Sequence, residues 1–211
     1  MKHPMAAGIT AVAVGAVVLG CLGCGGSQKV LLPPRVDLKP YGTLGMIQLE
    51  SNAKGNLAEF TSQKVLRALQ EAQPGTPVVE LGTMQNVLGT IGRTSLDVEA
   101  VRLLGTKYGI GALITGKLQV EKVKPSVNIA TLITEMSVSA YVEATLSVKI
   151  LEAGGGATVW SNAVQGRAIV ASVGILGGDT YFNAKDPEKA YGSMVKRLVR
   201  VISDDFWAHW E

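Results

Sequence analysis

Cysteine and histidine are nearly absent: the 211-residue chain has two of each, and no cysteine follows position 24. The bulk of the chain therefore has no disulfide and no thiolate metal ligand. The histidines are His3 and His209. A Cys-His catalytic site lacks its parts, and a zinc site would need its ligands almost wholly from carboxylates. Charge is sparse as well. Lys and Arg number 20 and Asp and Glu 17, a net charge of +3, too small and too dispersed for a nucleic-acid partner. With 47% hydrophobic and 18% charged residues, the chain can bury a core, and bulk disorder is excluded.

The longest uncharged stretch is at the N-terminus, where residues 3–28 carry no Lys, Arg, Asp or Glu. Lys2 precedes an apolar run at 6–20, AAGITAVAVGAVVLG. Its length suits a secretory h-region and is short for a membrane span. The run ends in Val18-Leu19-Gly20-Cys21, which reads as a lipobox. A thiol is needed to take the diacylglyceryl group, and a small neighbour lets the signal peptidase reach the backbone. Residues 1–20 are thus expected to be a lipoprotein signal peptide and Cys21 the lipidation site. Cys24 is the alternative, in a second frame whose −3 position is Cys21. An uncleaved membrane anchor is the other reading of the same run. Leu22, in place of an aspartate that would retain the protein at the inner membrane, favours the outer membrane, lipid-anchored and facing the periplasm. Several acyl chains would make membrane lipid a firm partner. Residues 25–40 contain three prolines and two glycines, so 21–40 read as the lipidated N-terminus and a flexible tether.

Residues 41–211 read as one periplasmic domain. A first strand is expected within 41–50. Asn56 is a candidate N-cap for a helix over 57–72 with Ala58, Val65, Leu66 and Leu69 near one face. A strand is expected at 78–81 and a helical turn or two at 84–88. A helix capped by Asp97 is expected to run through Tyr108, and a central strand to cover 112–120. From Met136 to Ile150 every even position is apolar, alternating with Ser137, Ser139, Tyr141, Glu143, Thr145, Ser147 and Lys149, a long strand by its period. Glycines 154–156 turn it back into a partner over 158–166. Asp186 and Pro187 open an amphipathic C-terminal helix, with Tyr191, Met194, Val195, Leu198, Val201 and Ile202 on one face. The expected class is α/β: a three-layer-type mixed sheet with flanking helices, a long antiparallel hairpin in the second half and a C-terminal amphipathic helix.

Motifs for chemistry are thin. Gly111 to Leu118 nearly matches a phosphate-binding loop, but Leu118 stands where the magnesium-ligating hydroxyl belongs, and no helix follows. Asp204 and Asp205 would point about 100° apart on a helix. His209, Trp207 and Trp210 suit a domain edge or a membrane interface better than a site. No catalytic, cofactor-binding or metal residue is assigned. For a carboxylate enzyme, Glu135, Glu143, Asp179 and Asp204 are the acids to test. The period-two stretch has a second reading, as an apolar-out, polar-in strand of a multi-subunit membrane barrel.

Several segments together resemble the domain shared by curli-secretion channel lipoproteins (CsgG-like) and the amino-terminal domain of TolB-type periplasmic proteins. They are GMIQLE at 45–50, LRAL at 66–69, VVEL at 78–81 with Met84 and Leu88 behind it, VRLLGTKYG at 101–109, ALITGKL at 112–118 and LSVKILEAGGGATVWS at 146–161. One departure is that Glu152 is followed by Ala153 and three glycines. The resemblance implies no catalytic residues and no cofactor. In the channel members two amphipathic hairpins insert in the membrane. Here residues 123–141 are the candidate for one, and 167–182 a poorer candidate for the second.

The expected role is non-enzymatic: an envelope assembly, secretion-accessory or scaffold component with other envelope proteins or itself as partner. A subunit of an oligomeric export pore of the curli-secretion type is the first alternative, and an envelope enzyme using carboxylates the second. Cys21→Ser is expected to abolish labelling by a fatty-acid probe in cells. Labelling that persists would move the acceptor to Cys24.

Overall fold

The structure, a computed structural model, describes residues 29–53, 55–121, 124–129, 135–176, 179–184 and 187–210. Cys21, Cys24, the signal run and the Asp186 cap lie outside the described residues. In chain order the elements are β1 (Leu31–Leu32), β2 (Leu44–Ile47), β3 (Glu50–Ser51), α1 (Leu57–Ala72), β4 (Val78–Gly82), α2 (Met84–Gly89), α3 (Val98–Tyr108), β5 (Ala112–Val120), β6 (Lys124–Ile129), β7 (Glu135–Glu152), β8 (Thr158–Leu176), β9 (Asp179–Ala184), α4 (Pro187–Ile202) and β10 (His209–Trp210). Residues 33–209 form one compact unit and the two chain ends another. β1 and β10 make a two-stranded sheet.

The large unit is a mixed α/β fold. Its sheet runs β4-β2-β5-β7-β8-β9, with β3 also on β5 and β6 also on β7. β2 pairs in parallel with β4 and β5, whereas β5, β7, β8 and β9 are antiparallel neighbours. The chain changes mode where the sequence changes pattern. Helices separate the first strands, so these return in parallel; the glycine turn after β7 has no room for a helix, so β8 returns antiparallel.

Two hydrophobic layers sandwich the sheet. On one face, Val65, Leu66 and Leu69 of α1 and Met194, Val195, Leu198, Val199 and Ile202 of α4 pack on Ile114, Leu118, Val142, Ala144, Leu146, Val148 and Ile150. On the other, Val87 of α2 and Val101 and Leu104 of α3 close over Ile47, Ile110 and Leu113. The even residues of β7 from Val142 to Ile150 are at most 2% exposed, as their period requires.

Local signals act as expected at α3. The Asp97 carboxylate accepts from the Ala100 N–H at 2.7 Å, and Gly109 ends the helix at φ 63°. They fail at α1, where Asn56 holds the N-cap position without a side-chain bond. On α4, Val199 is buried and Val201 is 51% exposed, the reverse of the expected face. Ridge packing against β8 selects the stripe through 194, 195, 198, 199 and 202.

The large unit begins at Pro33. Leu38 is buried in the core. Gln73, at the C-terminus of α1 and itself 3% exposed, explains why. Its carbonyl accepts from Leu38 N–H at 2.8 Å, and its amide donates to the Val36 and Phe206 carbonyls at 2.7 and 3.1 Å. One buried amide thus joins the start of the domain, the first helix and the chain end. Phe206 packs edge-on against Trp160 with centroids 4.7 Å apart, and the Trp160 indole donates to Asp205 at 3.0 Å. Gln73→Leu strands three backbone groups, at least two of them buried, and is expected to cost about 2–4 kcal/mol. A urea melt checks this as a lowered midpoint with unchanged slope.

Candidate functional site

The sheet continues beyond the end of β5. β5 ends at Val120, opposite Ala144 of β7. β6 takes up the same line at Lys124, opposite Tyr141. On the far side, β9 flanks the last part of β8, from Ala171 to Leu176. The result is a four-stranded antiparallel extension, β6-β7-β8-β9. From Tyr141 to Glu135 it rises six residues, or about 20 Å.

Register sorts this extension into rows of one chemical kind. Pro125, Ala140, Ala171 and Ala184 are paired across it, as are Val127, Val138, Val173 and Phe182, and Ile129, Met136, Ile175 and Thr180. Between them come the rows Ser126, Ser139, Ser172, Asn183 and Asn128, Ser137, Gly174, Tyr181. Successive rows belong to opposite faces of a sheet. One face of the extension is therefore apolar at every position but Thr180, and the other polar or small except at Leu176 and Ile169, in its end rows. On β7 the apolar rows have the same even parity as the buried Val142 to Ile150, so they continue the face that α4 covers lower down.

A β-bulge makes this possible. Tyr141 pairs with Ile169 but Ala140 with Ala171, which leaves Val170 as the extra residue. Below the bulge, even residues of β8 share the core face: Trp160 opposite Ile150, Val164 opposite Leu146, Ala168 opposite Val142. Above it, odd residues do. The bulge absorbs a one-residue change of phase in the sequence and keeps both halves on one face. This is why 167–182 read as a poor hairpin: its alternation is regular but switches phase at Val170. β6 falls within the 123–141 candidate and the first part of β9 within 167–182, though strands of six residues carry few periods of their own.

The helix layer lies below the root of the extension. β9 descends to Ala184, opposite Ala171, and α4 continues in the same direction, away from the extension, bringing Ile202 beside Trp160. Gly166 faces Leu198 and Met194, and the Arg197 guanidinium donates to the Arg167 carbonyl at 2.6 Å. Arg167 also lies 5.9 Å from the centre of the Tyr141 ring. Four strands of about 20 Å make a sheet face of roughly 400 Å².

The other candidate residues do not converge. Glu135 and Asp179 share a row but stand two strands apart, with Leu176 between them. Glu143 lies eight residues down β7 from Glu135, about 27 Å away, opposite Arg167. Asp204 is at the far end, where its carbonyl meets the His209 ring at 3.2 Å. Asp205 is structural, binding Trp160 and the Arg35 guanidinium. Gly111 and Gly116 sit beside and inside β5 respectively, where a Cβ would meet the Tyr41 carbonyl and the Ser147 carbonyl; they serve close strand packing, not phosphate. Gly156, at φ 73°, completes the expected hairpin turn. Among the described residues, no helix is long and apolar enough to cross a membrane.

No protein-family model matches the chain, and no curated protein matches it in sequence. Solved structures are similar to it in fold. The hypothetical protein CT253 of Chlamydia trachomatis has a TM-score of 0.46 at 10% identity, over 77% of this chain and 93% of its own. The lipoprotein GNA1162 of Neisseria meningitidis has a TM-score of 0.42 at 14% identity, over 77% and 98%. The PelC dodecamer of Paraburkholderia phytofirmans has a TM-score of 0.41 at 9% identity, over 85% and 99%.

Deleting Val170 removes the bulge yet keeps every row in phase, so the variant is expected to fold with its extension intact. Deleting Ser172 puts Val173 and Ile175 into polar rows. Hydrogen exchange on β9 checks the contrast, with protection retained in the first variant and lost in the second.

Proposed function

We propose that this protein is a lipid-anchored, non-enzymatic component of the bacterial outer membrane whose four-stranded extension enters the bilayer as one segment of an oligomeric export pore. The alternation of whole rows across four strands carries this reading. A sheet with one apolar and one polar face suits a boundary between lipid and water, and Ser, Asn and Tyr rows suit a wet lumen. The N-terminal run ending at Cys21 supplies the lipid anchor and the periplasmic orientation of the domain.

Self-association follows from the edges. Within lipid every backbone N–H and C=O needs a partner, so an open sheet is not tolerated there. β6 and β9 are the outer strands of the extension and must pair with something. The β9 edge of one copy and the β6 edge of the next supply each other's missing ladder.

One observation favours the scaffold reading instead. β6 and β9 have six residues each, fewer than the roughly 9–11 of a spanning strand. In that reading the apolar rows are covered by another envelope protein, and the domain stays in the periplasm.

The two readings differ in solution. As a pore subunit, the full-length protein in mild detergent runs as a large ring and conducts in planar bilayers. Val138→Lys, in an apolar row, blocks insertion at a cost of about 2–4 kcal/mol per subunit, while Ser139→Lys, in a polar row, is tolerated. A monomer that leaves the membrane once the lipid is removed, as with Cys21→Ser, would sink the pore.

A further inference from the structure

The opposite end of the sheet holds a second feature that the extension does not use. β2 leads through α1 to β4 on one side of it, and β4 leads through α2 and α3 back to β5 on the other side. α1 lies on one face of the sheet and α2 and α3 on the other. β2 and β4 are neighbours whose outgoing connections leave to opposite faces, so a crevice opens at the carboxyl ends of the parallel strands. This is where open α/β sheets bind ligands. The crevice exists here as a cleft of about 650 Å³.

Its lining is specific in charge. Glu50 and Lys117 both border the cleft and are register partners on the adjacent parallel strands β3 and β5. Register partners lie on the same face of the sheet. Yet neither forms an ion pair with the other or with another described residue. One free carboxylate and one free ammonium thus stand side by side over a polar wall. Gln48, Gln85 and Gln119 add amides that both donate and accept.

We propose that this cleft binds a small zwitterion, an amino acid or a dipeptide with free termini. The ligand carboxylate meets Lys117, its ammonium meets Glu50, and the glutamine amides take its remaining polar groups. A neutral ligand with both charges leaves neither protein charge uncompensated on desolvation. An inorganic or organic phosphate fits worse, because Glu50 repels it. A metal cation fits worse, because Lys117 does. This site also gives Lys117 a role that the near-miss phosphate motif around it does not.

Calorimetric titration of detergent-solubilised full-length protein tests the proposal with L-alanine and L-alanyl-L-alanine as probes. Saturable binding of one or both is expected, and the stronger of the two identifies the length of the ligand. N-acetyl-alanine and alanine amide, each lacking one charge, are expected to bind at least about tenfold more weakly. Glu50→Gln is expected to weaken alanine by a similar factor and leave N-acetyl-alanine unchanged, and Lys117→Met to do the mirror image with alanine amide. Both side chains are exposed, so melting temperatures should match that of the unaltered protein. The blocked analogues test the same point without any substitution. No saturable binding of either probe, or binding indifferent to blocked termini or to both substitutions, overturns the proposal.

Discussion

The ladder between β7 and β8 is the constraint on which the rest of the molecule depends. It runs unbroken from the glycine turn after Glu152 to the end of β8 at Leu176, interrupted only by two register shifts. Its lower half is the floor on which α1 and α4 pack. Its upper half is the spine of the extension. Because the two halves share one backbone pairing, the apolar face of the upper half is a continuation of the core face, and its position is set by the same alternation. A slip of one residue anywhere in this hairpin would turn the apolar set of both halves to the wrong side. The bulge at Val170 is therefore a phase correction, needed because the sequence of β8 changes parity where helix cover gives way to the extension.

The sheet joins two kinds of β-structure with different uses. At the β4-β2-β5 end the strands are parallel, covered by helices on both faces, and their carboxyl ends open into a polar crevice. At the β6-β7-β8-β9 end they are antiparallel and amphipathic. β5 belongs to both, parallel to β2 and antiparallel to β7. It carries Lys117 into the crevice and, through its continuation β6, passes the chain into the extension. A ligand in the crevice and a neighbour at the β6 edge would thus touch a single line of backbone.

The first and last segments of the large unit are held by polar bonds as well as by the burial of Leu38 and Phe206. Gln73 gathers residues 36, 38 and 206, while Asp205 binds Trp160 and Arg35. These contacts place the last ordered turn of the domain against its first residues. A buried amide satisfied on both sides suits such a junction, since any slippage leaves backbone groups unpaired in the core.

Wherever a local period or cap was strong, the sequence alone determined the element. The span of α1, the capped α3, the central β5 and the even-numbered core face of β7 all follow from spacing and from single residues such as Asp97 and Gly109. Tertiary structure alone decided the rest. The rows of the extension exist only when four strands lie in register, and no single strand of six residues carries that information. The parity change at Val170 looks like lost periodicity until pairing supplies the bulge. The burial of Val199 over Val201, the capture of Leu38 by Gln73, and the pairing of Glu50 with Lys117 are contacts between distant segments, and nothing within either segment encodes them. The reason is physical: a period reports which face of an element is apolar, whereas only packing reports what that face meets.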